Sequence, residues 1–142
     1  MSTKISNKEL KVSSKTENLA AIREFVRDAS AQAGLNSKNT DKIVLAVDEA
    51  CSNIIKHAYA YSANGKLEIK VKSEKEKISI TIVDHGSQFD PSLIPEPNLK
   101  QIQEERRGGG LGMFLMKKLM DEVKYTNLTK NKNQVVLVKY LT

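Results

Sequence analysis

The sequence runs to 142 residues, 39% apolar and 28% charged, which suits one folded domain and excludes a disordered chain or a second core. Its 23 Lys and Arg exceed its 17 Asp and Glu, for a formal charge of +6, but the excess is dispersed and has no aromatics interleaved with it. Direct nucleic-acid binding is therefore not expected. A single cysteine, Cys51, excludes an internal disulfide and fits a reducing compartment. The opening MSTKISNKEL has no apolar stretch of signal-peptide type, and no apolar run approaches the roughly 18 residues of a membrane span. A cytoplasmic protein without membrane contact is the expectation.

In chain order, Leu10–Val12 reads as a short first strand. Ser14 and Glu17 have capping-box spacing, and Leu19, Ile22, Val26 and Ala29 then recur at helical period. Gly34 is placed to end that helix in a left-handed conformation. A second helix is predicted from about Asn39 to Tyr59, with Ile43, Val47, Ala50 and Ile54 as its apolar stripe.

After Asn64-Gly65 the period drops to two. Leu67, Ile69 and Val71 alternate with Lys66, Glu68, Lys70 and Lys72, a strand with one wet face. Ile78, Ile80 and Ile82 build the next strand, ending at Asp84. A third helix over about 110–120 leads to strands near Glu122–Thr129 and Gln134–Leu141, joined by the polar turn Lys130–Asn133. These elements predict an α+β two-layer sandwich, with helices on one face of a mixed, largely antiparallel sheet. No repeat or linker divides the chain, so 1–142 is read as one domain.

Between Asp84 and Gly110 lie all three prolines, Pro91, Pro95 and Pro97, and Gly112 completes a set of five of the seven glycines that begins at Gly86. A stretch this long exceeds the usual loop of about 12–15 residues, so residues 85–109 are predicted to form a functional lid.

Three segments carry chemistry. Glu49, Asn53 and His57 recur every four residues along one side of the second helix, with Lys56 beside them. A carboxylate and an amide amid Val47, Ala50, Ile54 and Ile55 belong to a cleft or to a wet helix edge. The strand ISITIVD runs into His85-Gly86, so Asp84 can aim a carboxylate at a donor where glycine lets a ligand come close; a simple Asx turn is the plainer alternative. Gly108-Gly109-Gly110-Leu111-Gly112 opens an apolar helix, freeing N–H groups for an anion, with Arg106 and Arg107 just ahead. The pattern is neither a P-loop nor a Rossmann turn. A hinge would also use three glycines.

Taken in order, E-x-x-x-N-x-x-K-H, a strand ending in D-x-G, a lid and a G-x-G-L-G helix start resemble the GHKL (Bergerat-fold, histidine-kinase-like) ATP-binding family. The segments AVDEACSNIIKHAY at 46–59, DHGSQFDP at 84–91 and GGGLGMFLMKKLMDEV at 108–123 are similar to the RsbW and SpoIIAB type of bacterial anti-sigma factor serine kinases. The likeness spans about residues 10–141.

The resemblance implies ATP and Mg²⁺ as cofactors. Asn53 would ligate Mg²⁺, Glu49 would be the general base for a serine hydroxyl, and Asp84 would accept from the adenine amino group. Gly86 would let the ring approach the backbone. Gly108, Gly109, Gly110, Leu111 and Gly112 would cradle phosphate, and Arg106 or Arg107 would stabilise the γ-phosphoryl group. Lys56 and His57 would edge the site. Cys51, Met113, Met116 and Met120 read as packing residues. Two departures predict weaker nucleotide binding: Gln88 stands where the family often has a second glycine, and Asn133-Gln134 where it often has a threonine. Ser87, Thr126 and Thr129 are poor substitutes.

As partners the resemblance implies a sigma factor, a STAS-type anti-sigma factor antagonist phosphorylated on serine, and a second copy in a homodimer. An ATP-gated binding protein without kinase activity is the alternative. A sensor histidine kinase ranks below both: the only histidines, His57 and His85, fall inside the ATP motifs, and no phosphoacceptor helix accompanies them.

Overall fold

The computed structural model describes residues 6–86 and 116–141. Strand β1 spans Ser6–Ser13, and a 3-10 turn at Thr16–Asn18 leads into α1, Leu19–Gln32. Helix α2 spans Ser37–Asn53 and continues as a π-helical turn over Ile54–Ala58. Strands β2 (Lys66–Ser73) and β3 (Lys77–Asp84) form one hairpin, and β4 (Glu122–Thr129) and β5 (Lys132–Tyr140) another. The order across the sheet is β1-β2-β3-β5-β4. A mixed, largely antiparallel sheet was expected, and every neighbouring pair among the described strands is antiparallel.

Two-residue alternation sorts each strand into an inner and an outer face. Leu67, Ile69 and Val71 are buried while Lys66, Lys70 and Lys72 are exposed. The inner faces of the strands share one core with Ile22 and Val26 of α1 and Ile43, Val47 and Ala50 of α2. The result is helices on one side of a sheet, built from aliphatics each contributing about 1.5–3 kcal/mol on burial.

Gly34 takes φ +97° and ends α1 as the sequence predicts. Asn36 caps α2, its side chain accepting from Asn39 N–H at 2.8 Å, so the helix starts two residues before Asn39. Residues 116–119 are helical, and Met116 and Met120 are buried in the core. The rest of the expected third helix, and the lid from Ser87 onward, lie outside the described residues.

Three local expectations need correction. The first strand is eight residues long, not three: Lys8 on its inner side masks the alternation, but Ser6 through Ser13 pair with Ser73 through Lys66. The capping box at Ser14 does not form. Ser14 is instead buried, its hydroxyl bonded to Ser62 O and accepting from Gly65 N–H at 2.9 Å, so a long-range partner outcompetes the helix end. The final turn is tighter than Lys130–Asn133, because Asn133 is already a strand residue.

Candidate nucleotide site

Helix α2 brings its polar residues to the site in graded burial. Glu49 is half-buried, and Asn53, one turn on, is 5% exposed. Burial first, and the neighbouring Asp48 second, raise the pKa of Glu49. A carboxyl so poised accepts a proton more readily than an ordinary surface glutamate. The Asn53 Nδ2 has no hydrogen-bond partner among the described residues. An amide buried without a partner costs about 1–3 kcal/mol, which a ligand at that spot recovers.

At Asn53 the helix changes character. Tyr59 N–H donates to Ile54 O at 3.1 Å, the wide ring of a π turn. π turns recur at functional sites because the added residue re-aims the side chains that follow. Lys56 and His57 are both exposed, while Asn53 is buried. Burial and then the Lys56 charge lower the pKa of His57.

The other wall is the end of β3. Asp84 is 2% exposed, and its Oδ1 accepts from Gly86 N–H at 3.0 Å and from Asn133 Nδ2 at 3.0 Å. Asn133 also donates to Gly86 O at 3.3 Å. The pairing register sets Asp84 directly opposite Asn133, so the contact follows from the sheet itself. Burial raises the Asp84 pKa; the Asn133 and Gly86 donors and the His85 charge act against it. Both donors converge on Oδ1.

Gly86 serves the fold in a way not foreseen from sequence. A Cβ there would lie 2.6 Å from Ala58 O, so the strand end packs on the main chain of the π turn. Burial first, then Asp48 and Asp84, raise the pKa of the Cys51 thiol, which is fully buried between Glu49 and Asn53 in the chain. Among the described residues no group of three or more His, Cys, Asp or Glu is arranged to hold a metal. Asn53 would hold Mg²⁺ through its single amide oxygen, with phosphate and water oxygens supplying the remaining ligands.

The structure therefore brings Glu49 and Asn53 together on α2, and Asp84 at the end of β3 together with Gly86 just beyond it. Arg106, Arg107, Gly108, Gly109, Gly110, Leu111 and Gly112, with Ser87 and Gln88, lie outside the described residues. The asparagine departure at 133 is filled by a side chain that holds the Asp84 carboxylate. Sequence reasoning missed the role of Tyr59, whose hydroxyl bonds to His85 and Lys66; the residue closes the segment AVDEACSNIIKHAY, but its partners are backbone groups that no side-chain pattern reveals.

The histidine kinase-like ATPase domain model matches residues 12–139. The chain belongs to that family. Serine-protein kinase RsbW of Bacillus subtilis (strain 168) is 30% identical over 141 aligned positions, covering 94% of this chain and 84% of that protein. A structure of the RsbU and RsbW domains of a Mycobacterium tuberculosis protein superposes over 94% of this chain with TM-score 0.68 at 14% identity, the match covering 32% of that longer chain. The catalytic domain of histidine kinase ThkA covers 96% of this chain, and this chain 95% of it, with TM-score 0.54 at 13% identity. These two share the fold, as the antiparallel sheet and its single helical layer require. Within the family, the chain groups with the RsbW serine-protein kinases.

Proposed function

We propose that this protein is an anti-sigma regulatory kinase that transfers the γ-phosphoryl group of ATP to a serine of a STAS-type antagonist, and that binds a sigma factor in the alternative state. The observation that carries the reading is the pair on α2: a half-buried Glu49 with a raised pKa, one turn from a buried Asn53 whose Nδ2 has no hydrogen-bond partner among the described residues. A pure nucleotide-binding module needs no such base. The serine-protein kinase relatives support the same activity.

Asp84 accepts a hydrogen bond from the adenine amino group through Oδ2, since Oδ1 is engaged by Gly86 and Asn133. Asn53 offers its amide oxygen to Mg²⁺. When bound, the ion draws charge from the phosphate oxygens. Glu49 then takes the proton of the incoming serine hydroxyl as that oxygen attacks phosphorus and ADP departs. Arg106 or Arg107 neutralises the γ-phosphoryl charge, and the 108–112 glycines cradle the phosphates. A homodimer working in the cytoplasm completes the proposal. No helix among the described residues is long and apolar enough to cross a membrane.

The test is phosphoryl transfer. Purified protein with Mg²⁺, γ-labelled ATP and a STAS-type antagonist should place acid-stable label on an antagonist serine. Label that never leaves ATP, with nucleotide-dependent partner binding intact, would replace the kinase by the ATP-gated binder.

A further inference from the structure

Tyr59 follows the π turn, and its phenol reaches the end of the β2–β3 ladder. The hydroxyl donates to Lys66 O at 2.6 Å and accepts from Lys66 N–H at 3.2 Å and from His85 N–H at 2.7 Å. Leu67 pairs with Asp84, so Lys66 and His85 would form the next rung, and the phenol stands in that rung's place. One hydroxyl thus satisfies three main-chain groups where the ladder stops.

The ring's position is fixed as firmly as its oxygen. A Cβ on Gly65 would lie 2.5 Å from Tyr59 Cε1, so only glycine admits the ring there. Ser14 N–H donates to Gly65 O at 3.0 Å, and Gly65 N–H donates to the Ser14 hydroxyl at 2.9 Å, so the end of β1 braces the same glycine. Behind the ring the chain turns back through left-handed Ala60 and Tyr61, φ 48° and 64°, with Tyr61 N–H held by Ile55 O at 2.8 Å. Strained non-glycine residues persist where their surroundings over-determine them, commonly near functional sites.

We infer that Tyr59 is a positioning residue, which fixes the Asp84–Gly86 strand end against the helix bearing Glu49 and Asn53 so that the adenine and phosphate ends of the nucleotide site keep one register. The inference rests on the ATP-binding reading. Tyr59 touches neither nucleotide nor metal in this scheme. It acts through His85 N–H, next to Asp84, while Gly86 packs on Ala58, the residue before Tyr59. Strand end and helix end are thus joined on two sides, by a phenol and by a glycine without room for a methyl.

The experiment uses calorimetry on the full chain with Mg-ATP and with magnesium purine riboside triphosphate, which lacks the 6-amino group. Tyr59→Phe keeps the ring against Gly65 and removes the hydroxyl. Its Kd for Mg-ATP should rise about tenfold, the cost of one hydrogen bond's worth of misalignment, while the Kd for the analogue changes less than about twofold. Amide exchange should show His85 and Gly86 losing protection while Ile80 and Ile82 keep theirs. An unchanged ratio of the two Kd values, even with a lowered Tm, would make Tyr59 a structural brace alone and overturn the inference. So would equal weakening of both ligands. Should Tyr59→Phe fail to fold, Gly65→Ala, which retains the hydroxyl but displaces the ring, is held to the same ratio. If the unaltered protein binds neither ligand, the nucleotide reading fails first and takes the inference with it, an outcome distinct from selective insensitivity of the variants.

Discussion

The two ends of the candidate site are built on opposite plans. At the strand end, Asp84 Oδ1 accepts from Gly86 and Asn133, and Tyr59 closes the backbone groups beyond. At the helix end, Asn53 Nδ2 is buried with no hydrogen-bond partner among the described residues, and Glu49 carries an ionisable group into partial burial with a like charge, Asp48, beside it. Three hydrogen bonds fix the geometry of the strand end, whereas a buried donor without a partner costs free energy that a ligand can recover. On the proposed reading, the adenine end is held by those bonds and the phosphate end awaits its ligand.

The largest effect that would break this contrast is at Glu49. Glu49→Gln should lower phosphoryl transfer by about 10²–10⁴-fold with Mg-ATP affinity nearly unchanged, measured as label transfer beside calorimetry. The same change should raise the Tm of the ligand-free protein at neutral pH. The sign follows from a folded-state pKa raised above the unfolded one: the contribution to stability is full below the ordinary carboxylate range and is lost as pH rises through the folded value. The gain should vanish in acid, and a variant less stable than the parent at pH 7 would contradict the poised-base picture.

Next comes Asp84→Asn, which preserves an Oδ1 for the Gly86 and Asn133 donors but turns Oδ2, the proposed acceptor, into a donor facing the adenine amino group. Mg-ATP affinity should fall about 100-fold, with the thermal midpoint held or raised. A marked loss of stability instead would make Asp84 a structural residue.

Gly86→Ala sharpens the same end from the packing side. A Cβ 2.6 Å from Ala58 O must move the strand end or the π turn, and about 1–3 kcal/mol of stability should be lost in denaturant titration. Normal stability would show that this joint has slack.

The smallest effect belongs to Asn133→Ala. Its amide is one of the two hydrogen-bond donors that oppose the burial-driven rise in the Asp84 pKa. Without it the carboxylate should protonate at a higher pH, so Mg-ATP affinity, which needs the ionised form, should begin to decline at higher pH than in the parent. Affinity near neutrality should fall about tenfold or less. Superimposable pH profiles would remove Asn133 from the site.

Much of this was legible in the sequence because it rests on local periodicity. Alternation from Lys66 to Ile82 marked β2 and β3, and the four-residue spacing of Glu49 and Asn53 placed them on one helix side. What stayed hidden depends on register or on long-range partners. Asn133 was assigned to a turn, and only the β3–β5 pairing reveals that it faces Asp84. Ser14 read as a helix cap because its spacing to Glu17 is visible and its bond to Gly65 is not. The π turn leaves no mark in composition, and Tyr59 acts through an oxygen whose partners belong to main chain.

Cys51 turns this architecture into a built-in clock. The thiol is fully buried, and burial, then Asp48 and Asp84, push its pKa far up, so a thiol reagent reaches it only when the core around α2 opens. Being the sole cysteine, one turn or less from Glu49 and Asn53, it makes the rate of modification a direct count of how often the site comes apart. Saturating nucleotide should slow that rate by about the factor 1 + [L]/Kd, with no label attached to the protein beforehand.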